Sequence, residues 1–169
     1  MNLEQMTQEQ MQLQIAELAK RWLAMDGLWF QAAEQKFGID TAIELDTEVW
    51  RLFSPLEAKR IMKLLGLEPG GGLDALAKCL NYRCYSYINV QEIKRPSPDK
   101  LILKMIKCRV QDARHRKNMT PFPCKQVGIV EYEEFAKTVD PRITLKCIVC
   151  PPDEEERSFW CGWEFSLPA

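Results

Sequence analysis

Four of the seven cysteines, Cys124, Cys147, Cys150 and Cys161, lie in the C-terminal part of the chain. Cys147-Ile148-Val149-Cys150 places two thiols at the spacing of a metal knuckle, and tetrahedral zinc accepts four sulfurs, so Cys124, Cys147, Cys150 and Cys161 form a candidate zinc site. Strand alternation would point Cys150 away from Cys147 unless the strand ends there and turns at Pro151. The competing reading treats these thiols as small packed hydrophobes, and Cys79, Cys84 and Cys108 are read that way. Cys124 has a further use. It follows Pro121-Phe122-Pro123 at the expected start of a helix, where unpaired backbone N–H groups and the positive end of the dipole favour thiolate. Cys124 is therefore also a candidate nucleophile, with His115 or an arginine as the candidate assisting group.

Between Lys104 and Lys117 stand six basic residues against Asp112 alone. Arg109, Arg114 and Arg116 in this run are candidates for holding a carboxylate or phosphate, because the guanidinium fork fits both; a solvated charged face is the alternative. Asp26-Gly27-Leu28-Trp29-Phe30 is a dense aromatic segment, and Trp29 is counted with the arginines as a candidate ligand contact. His115 is the only histidine, which removes chemistry that needs two. No Gly-x-Ser-x-Gly elbow is present, and Pro69-Gly70-Gly71-Gly72 lacks the Lys-Ser/Thr end of a phosphate loop.

The elements that must position these residues follow from the patterning. Thr7 and Gln10 resemble a capping box ahead of Met11, Ile15, Leu18, Ala19, Trp22 and Leu23 at helical spacing. Asp26 is expected to start a second helix ending at Gly38, Asp40 a third, and Ser54-Pro55-Leu56-Glu57 a fourth that closes at Gly66. A short helix is expected over 73–80. The period then becomes two: 83–93 and 100–110 read as a hairpin about Pro96-Ser97-Pro98-Asp99, 124–139 as a helix, and 142–150 with 158–167 as a second hairpin. In that hairpin Ile143 is set opposite Phe165, Leu145 opposite Trp163, Cys147 opposite Cys161 and Val149 opposite Phe159, which would hold the two thiols' β-carbons about 4.5–5.5 Å apart. The expected fold is α+β: N-terminal helices (1–81), then a four-stranded antiparallel sheet of two hairpins with an intervening helix (82–169), in a single domain.

The whole chain fits that picture. At 169 residues, 46% hydrophobic and 28% charged, with a net charge of -1, it has the composition of a globular domain with its own core. The charge balance argues against a nucleic-acid partner, and the absence of an apolar run of about 18 residues argues against a membrane partner. With a polar start and too few cysteines for a disulfide scaffold, a cytoplasmic location is expected.

The runs RWLAMDGLWFQAAEQKFG, EAKRIMKLLGL, CRVQDARHRK, FPCKQVGIVEYEEFA, VDPRI and CIVCPPDEEERSFWCGWEFSL resemble a family of bacterial and archaeal cytosolic proteins filed as a domain of unknown function. More distantly, the cysteine at the helix entry and the Cys…Cys-x-aromatic final hairpin resemble 4-vinyl reductase and L-2-amino-thiazoline-4-carboxylic acid hydrolase-like domains, at Cys124, Cys147 and Cys161, with Cys150 an addition. That resemblance implies a small-molecule-binding α+β fold related to haem-NO/oxygen-binding and TRAPP transport domains, often a homodimer. Together these readings give a cytosolic domain that binds a small ligand, anionic if the arginines hold it, beside a cysteine cluster that takes zinc. The alternatives are a small hydrolase acting through Cys124 and an interaction module without ligand.

Overall fold

A computed structural model describes residues 3–154 and 158–168. Two long helices open the chain, α1 (Gln8–Phe37) and α2 (Ile39–Leu65), followed by α3 (Gly72–Leu80). A 3-10 turn at Cys84–Tyr87 leads into β1 (Val90–Ser97) and β2 (Lys100–Lys107). Then come α4 (Arg109–Arg116), α5 (Lys125–Val139), β3 (Thr144–Val149) and β4 (Cys161–Ser166). The strands form one antiparallel sheet in the order β1-β2-β4-β3. The α+β class expected from the sequence is the one observed, and the two hairpins are joined by pairing of β2 with β4.

The start of α1 forms as its sequence requires: Gln10 N donates to Thr7 Oγ1 at 3.2 Å, and Thr7 N donates back to Gln10 Oε1 at 2.9 Å. The four expected helices are, however, two. Asp26 starts nothing, because α1 runs through it and its carboxylate faces the interior cavity instead of capping. Pro55 lies inside α2. An internal proline removes one ladder bond at about 3 kcal/mol, and α2 offsets this by burying Trp50, Ala58, Ile61 and Met62 on both sides of it. Gly66 ends α2 in the left-handed conformation with φ 64°, which glycine adopts without a Cβ penalty.

One face of the sheet carries Leu101, Leu103 and Met105 of β2 and Cys161, Trp163 and Phe165 of β4, all buried. α5 covers it, with the Tyr132 ring 5.0 Å from that of Trp163 and 6.2 Å from that of Phe165. A Cβ added to Gly128 would fall 2.7 Å from Trp163 Cζ2, so glycine is what lets the helix lie this close. The outer face is polar, with Lys100 Nζ 3.3 Å from Glu164 Oε1.

The register of the last hairpin differs from the expected one by two residues. Leu145 pairs with Phe165, Lys146 with Glu164 and Cys147 with Trp163, not with Cys161. A slip of two preserves which face each side chain takes, so the apolar pattern could not distinguish the two registers. The irregularity between Cys147 and Val149, which pairs with Gly162, has the opposite effect. One extra residue turns Cys150 to the face that Cys161 occupies. β2 also ends three residues earlier than expected, and the basic run that follows is the helix α4.

Candidate functional site

A cavity of about 400 Å³ lies between α1, α2, α4, α5 and the ends of β2 and β4. Its size suits a small organic molecule. Trp50, Tyr85, Phe30, Tyr132 and Trp163 supply aromatic walls, and Cys108, Cys124, Cys150 and Cys161 line one end.

Two of those thiols are in contact, Cys124 Sγ lying 3.5 Å from Cys150 Sγ, and Cys161 of β4 is near enough to act on the Cys150 thiol. The Trp163 indole N–H donates to Cys161 Sγ at 3.3 Å. Cys124 immediately precedes α5 and also receives Gln111 Nε2 at 3.6 Å. The Cys150 hydrogen bond, aided by the one from Gln111, draws the Cys124 thiol below its ordinary value against the opposing effect of burial. Cys150 is pushed up by its contact with Cys124, by the neighbouring Cys161 and by burial. Thiolate character in this group therefore belongs to Cys124, the member with two donors at the positive end of a helix. Burial pushes the Cys108 thiol up to about 12.

Cys147 stands apart from the three. It is half-buried beside Trp163 and does not line the cavity. All seven cysteines are free, and among the described residues no group of three or more His, Cys, Asp or Glu is arranged to hold a metal ion. The structure thus gathers three of the four thiols proposed as zinc ligands and leaves the fourth outside.

The arginines take different places. Arg114 is buried and its guanidinium is occupied: Nη1 and Nη2 bond Glu34 at 2.8 and 2.9 Å, and Nε donates to the Thr120 carbonyl at 2.7 Å. It ties α4 to α1 and has no fork left for a ligand. Arg109 and Arg116 are exposed along the cavity's edge. Trp29 is 73% exposed on the outside of α1 and does not line this cavity, whereas its neighbour Phe30 does. His115 is exposed near the end of α4, also outside the lining.

What the sequence reading missed is the acidic wall. Asp26 of α1, Asp46 of α2 and Glu131 of α5 all face the cavity. Burial, reinforced by Asp26 and Glu131, pushes the Asp46 carboxyl up to about 7, opposed by a hydrogen bond from Trp50. Burial likewise raises Asp26 and Glu131. Behind the wall Arg83 is buried with its guanidinium over the rings of Trp50, Tyr85, Tyr132 and Phe135. Arg83 Nε bonds Glu57 Oε2 at 2.8 Å. Its Nη1 stands 2.7 Å from Glu131 Oε1 as an ion pair without hydrogen-bond alignment, so that oxygen has no hydrogen-bond donor among the described residues. A signal for these acids was present: Asp46 sits between Ala42, Ile43 and Trp50, and Glu131 between Val127, Gly128 and Phe135, each a carboxylate at a stripe position that faces inward.

Gln111 was missed as well. Only 2% exposed, it donates to the Phe122 carbonyl at 2.8 Å and accepts from Phe122 N at 2.9 Å, pinning the loop that delivers Cys124. Its spacing of three from Arg114 puts both on the inward face of α4.

Residues 4–167, nearly the whole chain, match a family described as of unknown function (DUF6125). The chain belongs to that family. No curated protein and no solved structure matches it. The family resemblance seen in the sequence is therefore borne out, and the remoter likeness to 4-vinyl reductase is not shown by these comparisons.

Proposed function

We propose that this member of the family is a small-molecule-binding domain of the reducing cytoplasm, and that its ligand carries a protonated nitrogen on an apolar or aromatic body. The observation that carries this is the acidic wall itself: Asp26, Asp46 and Glu131, from three different helices, line one cavity, and burial raises all three carboxyls. Desolvated carboxylates that face one another disfavour their charged forms, a cost that a cationic N–H donor from a ligand would relieve. The aromatic walls suit the remainder of such a molecule and add cation–π attraction. The seven free thiols support the compartment.

The anionic ligand expected from the arginines has less support, since Arg114 is already neutralised by Glu34 and three carboxylates would oppose an anion. A thermal-shift comparison of tryptamine and phenethylamine with indole-3-acetate and phenylacetate tests the reading. Amines should raise the melting temperature and the matched acids should not, and Glu131→Gln or Asp46→Asn should weaken the effect. Stabilisation by the acids alone would return the assignment to Arg109 and Arg116.

A further inference from the structure

We propose that Cys124 and Cys150 are a redox-active dithiol that exchanges with small disulfides entering the cavity. The inference goes beyond ligand binding and does not depend on the ligand's charge. Its basis is geometric. Two sulfurs from elements 26 residues apart stand 3.5 Å from each other, and both line the cavity. Closing to the roughly 2.05 Å of a disulfide requires side-chain movement of the order of 1.5 Å.

The two thiols are also differentiated. Cys124 stands against Cys150 at 3.5 Å and receives a hydrogen bond from Gln111 Nε2 at 3.6 Å, at the positive end of a 15-residue helix. That environment makes Cys124 the attacking group. Cys150 is fully buried and in contact with Cys124, which makes it the resolving group.

In the first step the Cys124 thiolate attacks one sulfur of R–S–S–R. The S–S bond breaks, a Cys124–S–S–R mixed disulfide forms, and RS⁻ leaves and is protonated from solvent, which received the Cys124 proton on ionisation. Cys150 then gives up its proton and attacks the Cys124 sulfur, releasing the second R–S group as RSH. The protein loses two electrons and two protons to become a Cys124–Cys150 disulfide, and the small disulfide is reduced to two thiols. Cys147, opposite Trp163 and outside the cavity, takes no part.

Hydroxyethyl disulfide, small and uncharged, tests this on the reduced full chain under anaerobic conditions. Non-reducing peptide mapping should find one new link, Cys124 to Cys150, and Cys150→Ser should instead accumulate the mixed disulfide on Cys124. Cys124→Ser should slow exchange by about tenfold or more. A link between Cys147 and Cys161, or adducts spread evenly over the cysteines, would overturn the assignment. If Cys150→Ser does not fold, alkylation of the native chain by iodoacetamide decides it. Cys124 should label first, with a midpoint below the roughly 8.5 of an ordinary thiol, and labelling of another cysteine first would overturn the proposal. Faster reaction of cationic cystamine than of the uncharged probe reports separately on the acidic wall, so either proposal can fail alone.

Discussion

Asp46 and Asp140 show how one residue type is set to opposite ends of its range by its surroundings. Asp140 is buried at the end of α5 and accepts from Gly72 N, Arg142 N, Arg142 Nε and Arg142 Nη2 at 2.7–3.0 Å. The Arg142 side chain in particular holds its carboxyl down at about 2, from 3.8. The folded state therefore gains stability from the charge above pH 3.8, and the gain is lost as pH falls through about 2. Asp140→Asn should cost about 2 kcal/mol at neutral pH, a difference that narrows in acid, as urea midpoints across pH would record. Asp46 is the reverse case. With its carboxyl raised to about 7, the unfolded chain binds fewer protons than the folded one between 3.8 and 7, so stability falls as pH rises through that window. The charged groups facing Asp46 are Asp26 from α1 and Glu131 from α5, with Trp50 donating from its own helix and Tyr85 also within reach. Asp46→Asn should raise the melting temperature at pH 8 and change it little at pH 4. A variant that is less stable at pH 8 would show that the charged carboxylate has a partner in the fold.

At the scale of elements, the contact between α5 and the sheet rests on one glycine and one indole. Trp163→Ala removes a fully buried ring and should cost about 3–5 kcal/mol. Gly128→Ala inserts a methyl group at 2.7 and 2.8 Å from two benzo-ring carbons of Trp163, an overpacking worth about 1–3 kcal/mol. Trp163→Phe removes those two carbons, so in that background Gly128→Ala should cost less. Equal costs in both backgrounds, read as denaturation midpoints, would mean that α5 meets the sheet elsewhere. The same contact matters for the site, because α5 carries Glu131 into one wall and brings Cys124 over Cys150.

For the whole molecule, α1 is the unusual element: of its 30 residues only Ala19 is buried. Leu18, Met25, Leu28 and Trp29 on α1 and Leu45, Val49 and Leu52 on α2 are exposed, with a groove between them lined by Trp22, Met25, Trp29 and Val49. A contiguous apolar surface of this kind marks an interaction site. The homodimer expected from the sequence resemblance can be tested at this surface. Sedimentation should then give twice the 19.7 kDa chain mass, and Met25→Glu with Trp29→Glu, both in the groove and outside the cavity lining, should halve it while leaving the cavity intact. A monomer at every concentration would refute the homodimer. No helix among the described residues is long and apolar enough to cross a membrane.

The sequence by itself determined what depends on neighbours along the chain. The capping box at Thr7, the end of α2 at Gly66, the helix behind Cys124 and the inward face of the last hairpin all follow from local hydrogen bonding or periodicity, and each is found. Tertiary structure decided whatever required comparing distant segments. Burial against α5 carried α2 through Pro55, where local rules place a helix start. Pairing of β4 with β2 accompanied a two-residue shift in the last hairpin, which periodicity cannot detect, and the bulge at Ile148–Val149 brought Cys150 round to Cys161. The cluster at Cys124 was visible as a set of thiols, yet its membership was settled by that bulge. The acidic wall was not visible as a set at all, because Asp26, Asp46 and Glu131 lie on three different helices, the last far along the chain, and only the packing of those helices makes one site of them.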